Sequence, residues 1–293
     1  MSVEQPEEGL SHPGRGRGLR DVYANRFLLK LLVRKEIKVR YRGSALGILW
    51  SYMKPGLQFI VFYVALGLFL NVQGSTPNYP IYLFAGIVLV NFFTEALGNA
   101  TRSIVGNRDL IRKIYLPREL FPVASVWVSA VHFLPQVVIL LAVCLFFGWV
   151  PTVWSVLALV GAFAMVAVLA VGLGLLFGAV NVYFRDSENL VDLLIMMVTW
   201  ASPVLYLWSQ VQHVLGPWFN VYQLNPMTVG VEIFHWAFWR PTLDGDQLSA
   251  SAAAEVPGLF ALWLPLTAAV TVLVLFIGQA TFARLSTRFA QEL

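Results

Sequence analysis

An all-α integral membrane fold is predicted for this chain by three observations: too little charge for an aqueous surface, six long apolar runs, and basic residues gathered on one side of those runs. Of the 293 residues, 58% are hydrophobic, 14% aromatic and 12% charged, with a mean hydropathy of +0.70. Soluble chains carry about 25% charged residues. There is too little polar surface to cover so large an apolar core, which excludes an ordinary cytosolic globule, a disordered chain and a compact nucleic-acid-binding domain. The formal charge of +4 is no argument for nucleic acid, because membrane proteins collect Lys and Arg on their cytoplasmic side. Cys144 is the single cysteine, so no intrachain disulfide is possible. His12, His132, His213 and His235 are scattered without ligand spacing, and no metal site is expected.

In chain order, residues 1–18 are rich in Gly, Pro, Glu and Arg and are expected to form a disordered cytoplasmic tail. No apolar run near the start suggests a cleavable signal peptide, and the GRGRG run follows no strand, so it is not a phosphate loop. Residues 19–46 read as an amphipathic interface helix. Ala24, Phe27, Leu28, Leu31 and Leu32 share one face, and Arg26, Lys30 and Arg34 the opposite one. The phase breaks at Lys35 and Glu36, where the helix is expected to end or bend. A plain basic juxtamembrane segment is the alternative.

The transmembrane domain, 47–293, is expected to hold six spans at about 47–70, 80–98, 120–148, 154–181, 189–208 and 258–282. Each approaches or exceeds the roughly 20 apolar residues that a helix needs to cross a bilayer. A closed barrel would need shorter, alternating segments. Nineteen of the twenty Lys and Arg fall within residues 1–54, after the second span, after the fourth or after the sixth, with Arg240 the exception. That bias places both termini in the cytoplasm. Gly174 and Gly178, four apart in an apolar run, suit close helix packing.

Two connecting segments stand out. The cytoplasmic loop 99–119 mixes charge with apolar residues, and Asp109–Ile114 is expected to form a short helix ended by the restriction before Pro117. Such a helix suits docking into a partner's groove; a solvated loop is the alternative. The extracytoplasmic stretch 208–257 carries Trp208, Trp218, Tyr222, Phe234, Trp236, Phe238 and Trp239, which predicts short re-entrant or interfacial helices at the membrane boundary. Its part at 241–256 reads as an exposed loop.

Catalytic patterns are missing from the sequence. Glu95, Asp186, Glu188, Asp192 and Glu232 border or enter spans, but they form no series through the bilayer centre of the kind proton carriers use. There is no nucleophile elbow, no HExxH and no GxxxxGK[ST] phosphate loop.

The motifs that remain resemble a family. RYRGSALGILWSYMKP at 40–55, LIRKIYLPRELFP at 110–122, NVYFRDSENLVDLL at 181–194 with SPVLY at 202–206, and LNPM at 224–227 occur in one order. Together they resemble ABC-2 type transporter permeases of the branch exporting O-antigen, teichoic acid and related polysaccharides. The resemblance implies a six-span fold with an interface helix and outer gate helices. It also implies a homodimer working with two copies of a cytoplasmic P-loop ATPase, which binds ATP and magnesium, while this chain binds no cofactor and is no enzyme. By the same likeness, Arg108, Asp109, Ile111, Arg112, Lys113, Tyr115, Pro117, Arg118 and Glu119 belong to a coupling helix in the ATPase cleft. Arg185, Asp186, Ser202, Pro203, Asn225 and Pro226 are family-motif positions. The substrate implied is a glycan on a polyprenyl diphosphate lipid, carried across the bacterial cytoplasmic membrane.

The residues are compatible with that cargo. Arg40, Arg42 and Lys54 cluster where a diphosphate would arrive, although topology and lipid attraction also account for them. Tyr52, Phe59 and Tyr63 fall on one side of the first span and suit a glycan conduit or ordinary packing equally. Fifteen Arg against five Lys hint at a GC-rich genome, and the chain is similar to actinobacterial exporters of cell-wall galactan. An ABC-2 exporter of a drug or small lipid is the alternative, and a membrane enzyme acting on polyprenyl carriers through Asp186 or Asp192 a more distant one.

Overall fold

The computed structural model describes residues 18–44, 47–114, 116–243 and 255–292. The expected tail at 1–17, Tyr115 and most of the exposed loop at 241–256 lie outside the described residues. Every element among them is helical.

Helix α1 spans Leu19–Ala24 and α2 spans Arg26–Arg40. They are separated at Asn25, whose Nδ2 donates to the Asp21 carbonyl at 2.8 Å. Contrary to the expected break at Lys35, α2 runs unbroken to Arg40. Its apolar face divides: Leu32 is buried with Val22, while Phe27 and Leu31 are exposed beside Tyr23.

The first span is α3, Trp50–Phe62, extended as a wider π-helical stretch over Tyr63–Phe69. After the short α4 (Val72–Ser75) comes α5 (Tyr79–Gly106), then the six-residue α6 (Arg108–Lys113), α7 (Leu120–Phe146) and α8 (Val153–Tyr183). Helix α8 starts on a reciprocal cap: the Ser155 amide donates to Thr152 Oγ1 at 3.1 Å and the Thr152 amide to Ser155 Oγ at 3.0 Å. The bundle closes tightly around α5. A Cβ on Gly174 would lie 2.5 Å from that of Ala100, and one on Gly178 would lie 3.2 Å from the Ala100 carbonyl. The absence of side chains at that pair is what lets α8 reach α5, as the spacing predicts.

Among the described residues five helices are long and apolar enough to cross a membrane, not six. The fifth expected span becomes α9, Ser187–Ala201, of 15 residues. At 1.5 Å per residue it extends roughly 22 Å, against a hydrocarbon core of about 30 Å. The apolar run continues past it in sequence, but Pro203 forces Ser202 into extended backbone, φ −109° and ψ 148°, and the helix stops there.

Beyond it lie α10 (Trp208–Leu215), α11 (Phe219–Gln223) and α12 (Pro226–Phe234), the last extended over His235–Trp239. Asn225 caps α12 by accepting from the Met227 amide at 3.0 Å, with Pro226 in the first turn; this explains the LNPM run. All nine residues of α12 are buried, so its Phe234, with Phe238 and Trp239, belongs to the core rather than to a boundary belt, while Trp218 is 70% exposed. The last span is a π-helical turn at Leu259–Trp263 followed by α13, Leu264–Leu285; α14, Phe289–Glu292, follows it.

Candidate functional site

One large hydrophobic cluster runs through most of the bundle, and a smaller one sits at one end. The smaller one joins Val22 and Leu32 of α1 and α2 to Ile104, Leu120, Val182, Phe282 and Phe289. It therefore gathers the N-terminal helices, the α5–α7 loop, the end of α8 and the end of the last span at one end. Seventeen of the eighteen Lys and Arg among the described residues belong to these segments or, for Lys54, to the first turns of α3. Arg240 lies toward the other end, paired with Glu255 at 2.9 Å.

At the basic end α6 forms a projecting helix. Asn107 precedes it, and Ile114 leaves it in extended backbone ahead of Pro117. Arg108, Asp109, Arg112 and Lys113 are exposed, while Leu110 and Ile111 rest against the smaller cluster. Apolar residues on the inner side thus seat the helix and leave a charged outer face of three basic residues and one acid. The remaining expected docking residues divide. Arg118 stacks its guanidinium over the Phe289 ring at 5.6 Å, and Glu119 is buried at 5% exposure. Burial pushes the Glu119 carboxyl above its ordinary range, with the nearby Asp21 adding to the shift. Glu119 is therefore not part of an exposed docking face, and Tyr115 falls outside the described residues.

Of the expected entrance cations, Arg42 and Lys54 are exposed. Arg40 is engaged: its Nη1 pairs with Glu95 Oε1 of α5. Glu95 also accepts from His132 Nδ1 of α7 at 2.7 Å, and His132 Nε2 meets the Tyr41 hydroxyl at 2.8 Å. Tyr41 bonds in turn to Ser51 at the start of α3. His132 has no exposed surface. Sequence reasoning missed this network, treating Glu95 as a residue reaching the interface and His132 as one of four scattered histidines. The available signal was one ionisable residue in each of two neighbouring apolar spans, since such groups pair when they lie inside a membrane.

The expected conduit residues sit at the seam of α3, α5 and α7. Phe59 stacks on Tyr63 with centroids 5.8 Å apart and meets Phe84 edge-on at 5.5 Å. Tyr52 and Phe59, with Pro55, Phe84 and Gln136, line an almost wholly apolar groove of about 370 Å³. The outward face of α3 is a different one, carrying Leu57, Ile60 and Val61.

The motif at 181–206 holds α9. Arg102 of α5 donates to Glu188 at 3.3 Å and to Asp192 at 2.6 Å. Asn181 donates to Glu188 at 2.8 Å and to the Thr101 carbonyl at 3.2 Å. Arg185 and Asp186 lie exposed on the intervening turn. At the far end of α9, Ser202 and Pro203 are buried, and the Tyr82 hydroxyl donates to the Pro203 and Tyr206 carbonyls at 3.0 and 2.7 Å. The outer segments are tied down by Trp149 donating to the Ala237 carbonyl and Trp239 to the Pro77 carbonyl, each at 2.8 Å. Among the described residues no three His, Cys, Asp or Glu side chains converge on a metal-sized site.

Long apolar helices around a central α5, a basic end carrying a projecting helix and an aromatic-rich outer end define a multi-pass helical membrane protein. The family model described as ABC-2 type transporter matches residues 28–239. The chain is 32% identical over 246 residues to the O-antigen export system permease protein RfbA of Myxococcus xanthus, covering 84% of this chain and 93% of that one. It is 28% identical to a Klebsiella pneumoniae protein of the same name, covering 91% and 95%. The polysialic acid transport protein KpsM of Escherichia coli is 19% identical, covering 87% and 92%. The chain belongs to the ABC-2 type transporter family.

Proposed function

We propose that this chain is the permease subunit of an ATP-driven exporter of a polyprenyl-diphosphate-linked polysaccharide, O-antigen-like or galactan-like. It works in the bacterial cytoplasmic membrane as a homodimer with two copies of a P-loop ATPase. The observation that carries this reading is the projecting α6 at the end of the bundle where the basic residues gather. Positive charge marks the cytoplasmic side, so this end and both termini face the compartment that holds ATP. The chain has no GxxxxGK[ST] sequence of its own, so the nucleotide is hydrolysed by the partner. The names of its relatives support a polysaccharide cargo.

On this reading the exposed charges of α6 enter a cleft of the ATPase while Leu110 and Ile111 hold the helix to the bundle. A lipid diphosphate approaching the basic end meets Arg42 and Lys54, since Arg40 is already matched by Glu95. A sugar chain needs flat faces and few tight hydrogen bonds in order to slide, which suits the aromatic residues beside α3.

Co-expression with a candidate P-loop ATPase partner tests the assignment. The wild-type pair is expected to copurify and hydrolyse ATP, and the variant Arg112→Glu/Lys113→Glu to insert normally but lose the ATPase. Undiminished association in that variant rejects α6 as the docking helix.

A further inference from the structure

Helix α2 packs along α7 and makes polar attachments near its middle and at its C-terminal end, with a cleft between the two. Near the middle, Lys35 Nζ donates to Asn107 Oδ1 at 2.5 Å, and Asn107 is the residue from which α6 starts. At the far end, Arg40 and Tyr41 enter the buried pair of Glu95 and His132. Between these attachments a cleft of about 270 Å³ separates α2 from the ends of α5 and α7, lined by Lys35, Val39, Arg40, Arg102, Asn107 and Ser125 among others. Along its length the 15-residue helix also seats Leu32 in the smaller cluster, so it joins α6 to the polar network as one continuous element.

The hydrogen bonds at the far end have one consistent direction. A carboxylate only accepts, so His132 Nδ1, 2.7 Å from Glu95, carries the proton and donates. Arg40 then donates to Glu95 and not to the ring nitrogen 3.1 Å away. His132 Nε2 accepts from Tyr41, whose hydroxyl accepts from Ser51. This tautomer is assigned from the network. The chain of donors starts on α3 and ends at a carboxylate on α5, which also neutralises the charge of Arg40. Four segments thus meet in one directional network, and Tyr41 is the group that joins the end of α2 to the first span.

We infer that Arg40, Tyr41, Glu95 and His132 are positioning residues that transmit displacement of α6, through α2, to the first span. The inference rests on α6 being the ATPase docking helix. None of the four touches nucleotide or cargo in this role; they set where α3 stands relative to α5 and α7. Within its own chain α3 has few neighbours, with Leu57, Ile60 and Val61 all more than half exposed, so the hydrogen bond at Ser51 is a large part of what ties its start to the rest of the chain.

The test uses the permease–ATPase complex in nanodiscs, with a bimane fluorophore on the Leu57→Cys variant in a Cys144→Ala background. Bimane emission is expected to shift when ATP is added. In Tyr41→Phe, which keeps the ring and removes both hydroxyl contacts, the ATPase is expected to copurify and hydrolyse ATP as before, while the emission shift falls about fivefold or more. Ser51→Ala, the milder change, is expected to follow the same pattern should Tyr41→Phe fold poorly. Glu95→Arg alone is expected to lose the shift, and Glu95→Arg with Arg40→Glu to recover part of it, which a purely structural defect would not do. An unchanged shift in Tyr41→Phe and Ser51→Ala overturns the inference, as does a wild-type probe that ignores ATP or a loss of hydrolysis parallel to the loss of shift. Failure of the docking reading is seen separately, as intact ATPase association in Arg112→Glu/Lys113→Glu.

Discussion

Helices α5 and α3 are both apolar spans, yet the chain treats them differently. In the most apolar stretch of α5, 78% of residues are buried, against 11% in the first span. Helix α5 is contacted from several sides, with α7, α8, α9 and α12 packed around it, and its crossing with α8 is close enough to require Gly174. The first span leans on this bundle through Phe59 and Tyr63 and turns Leu57, Ile60 and Val61 away. Hydropathy alone does not separate the two, because lipid and a protein core are both apolar. The difference teaches that α5 is the spine of one chain, whereas the first span turns most of its surface outward from it. In the proposed homodimer that outward face meets the second copy.

The contrast can be broken most severely at the helix crossing. Gly174→Val would drive a branched side chain into Ala100, and overpacking of that kind costs about 3 kcal/mol or more. It is expected to abolish the monodisperse peak in detergent size-exclusion chromatography. The next largest effect separates the two helices directly. Leu89→Ala, at a fully buried position on α5, is expected to cost about 2–5 kcal/mol through lost packing. Leu57→Ala on α3 is expected to stay within about 0.5 kcal/mol in the isolated chain. Thermal unfolding in detergent measures both, and equal losses would erase the distinction.

A smaller effect concerns pH. Burial raises the Glu119 carboxyl above its ordinary value, so the folded state holds that proton more tightly than the unfolded chain. Its stabilising contribution is complete below the unfolded value and is lost as pH rises through the folded one. Glu119→Gln is therefore expected to flatten the decline of melting temperature with rising pH. A slope identical to wild type means that another group sets it.

Much of this was legible in the sequence, and what escaped did so for physical reasons. The apolar runs and the one-sided Lys and Arg mark a membrane bundle with a basic end, because both follow from local composition. The helix at 108–113 was visible from its half-apolar pattern and Pro117. The end of α9 was also signalled, by Ser202–Pro203, but hydropathy averaged across it and gave six spans where the structure has five and a shorter helix. Helix α12 and its extension looked like boundary material because Trp and Phe crowd a stretch between two spans; only tertiary packing shows that Phe234, Phe238 and Trp239 are core. The Arg40–Glu95–His132–Tyr41 network joins residues up to 92 positions apart, so no local pattern reveals it. Arg40 looked like a free cation for the same reason.

The central claim, that α3 is completed by a second copy while α5 is completed within the chain, is tested most directly by cysteine cross-linking in native membranes. In a Cys144→Ala background, Ile60→Cys on the outward face of α3 is expected to give a covalent homodimer on mild oxidation, and Val88→Cys on α5 to give none. Efficient cross-linking through position 88, with position 60 inert, would contradict the account.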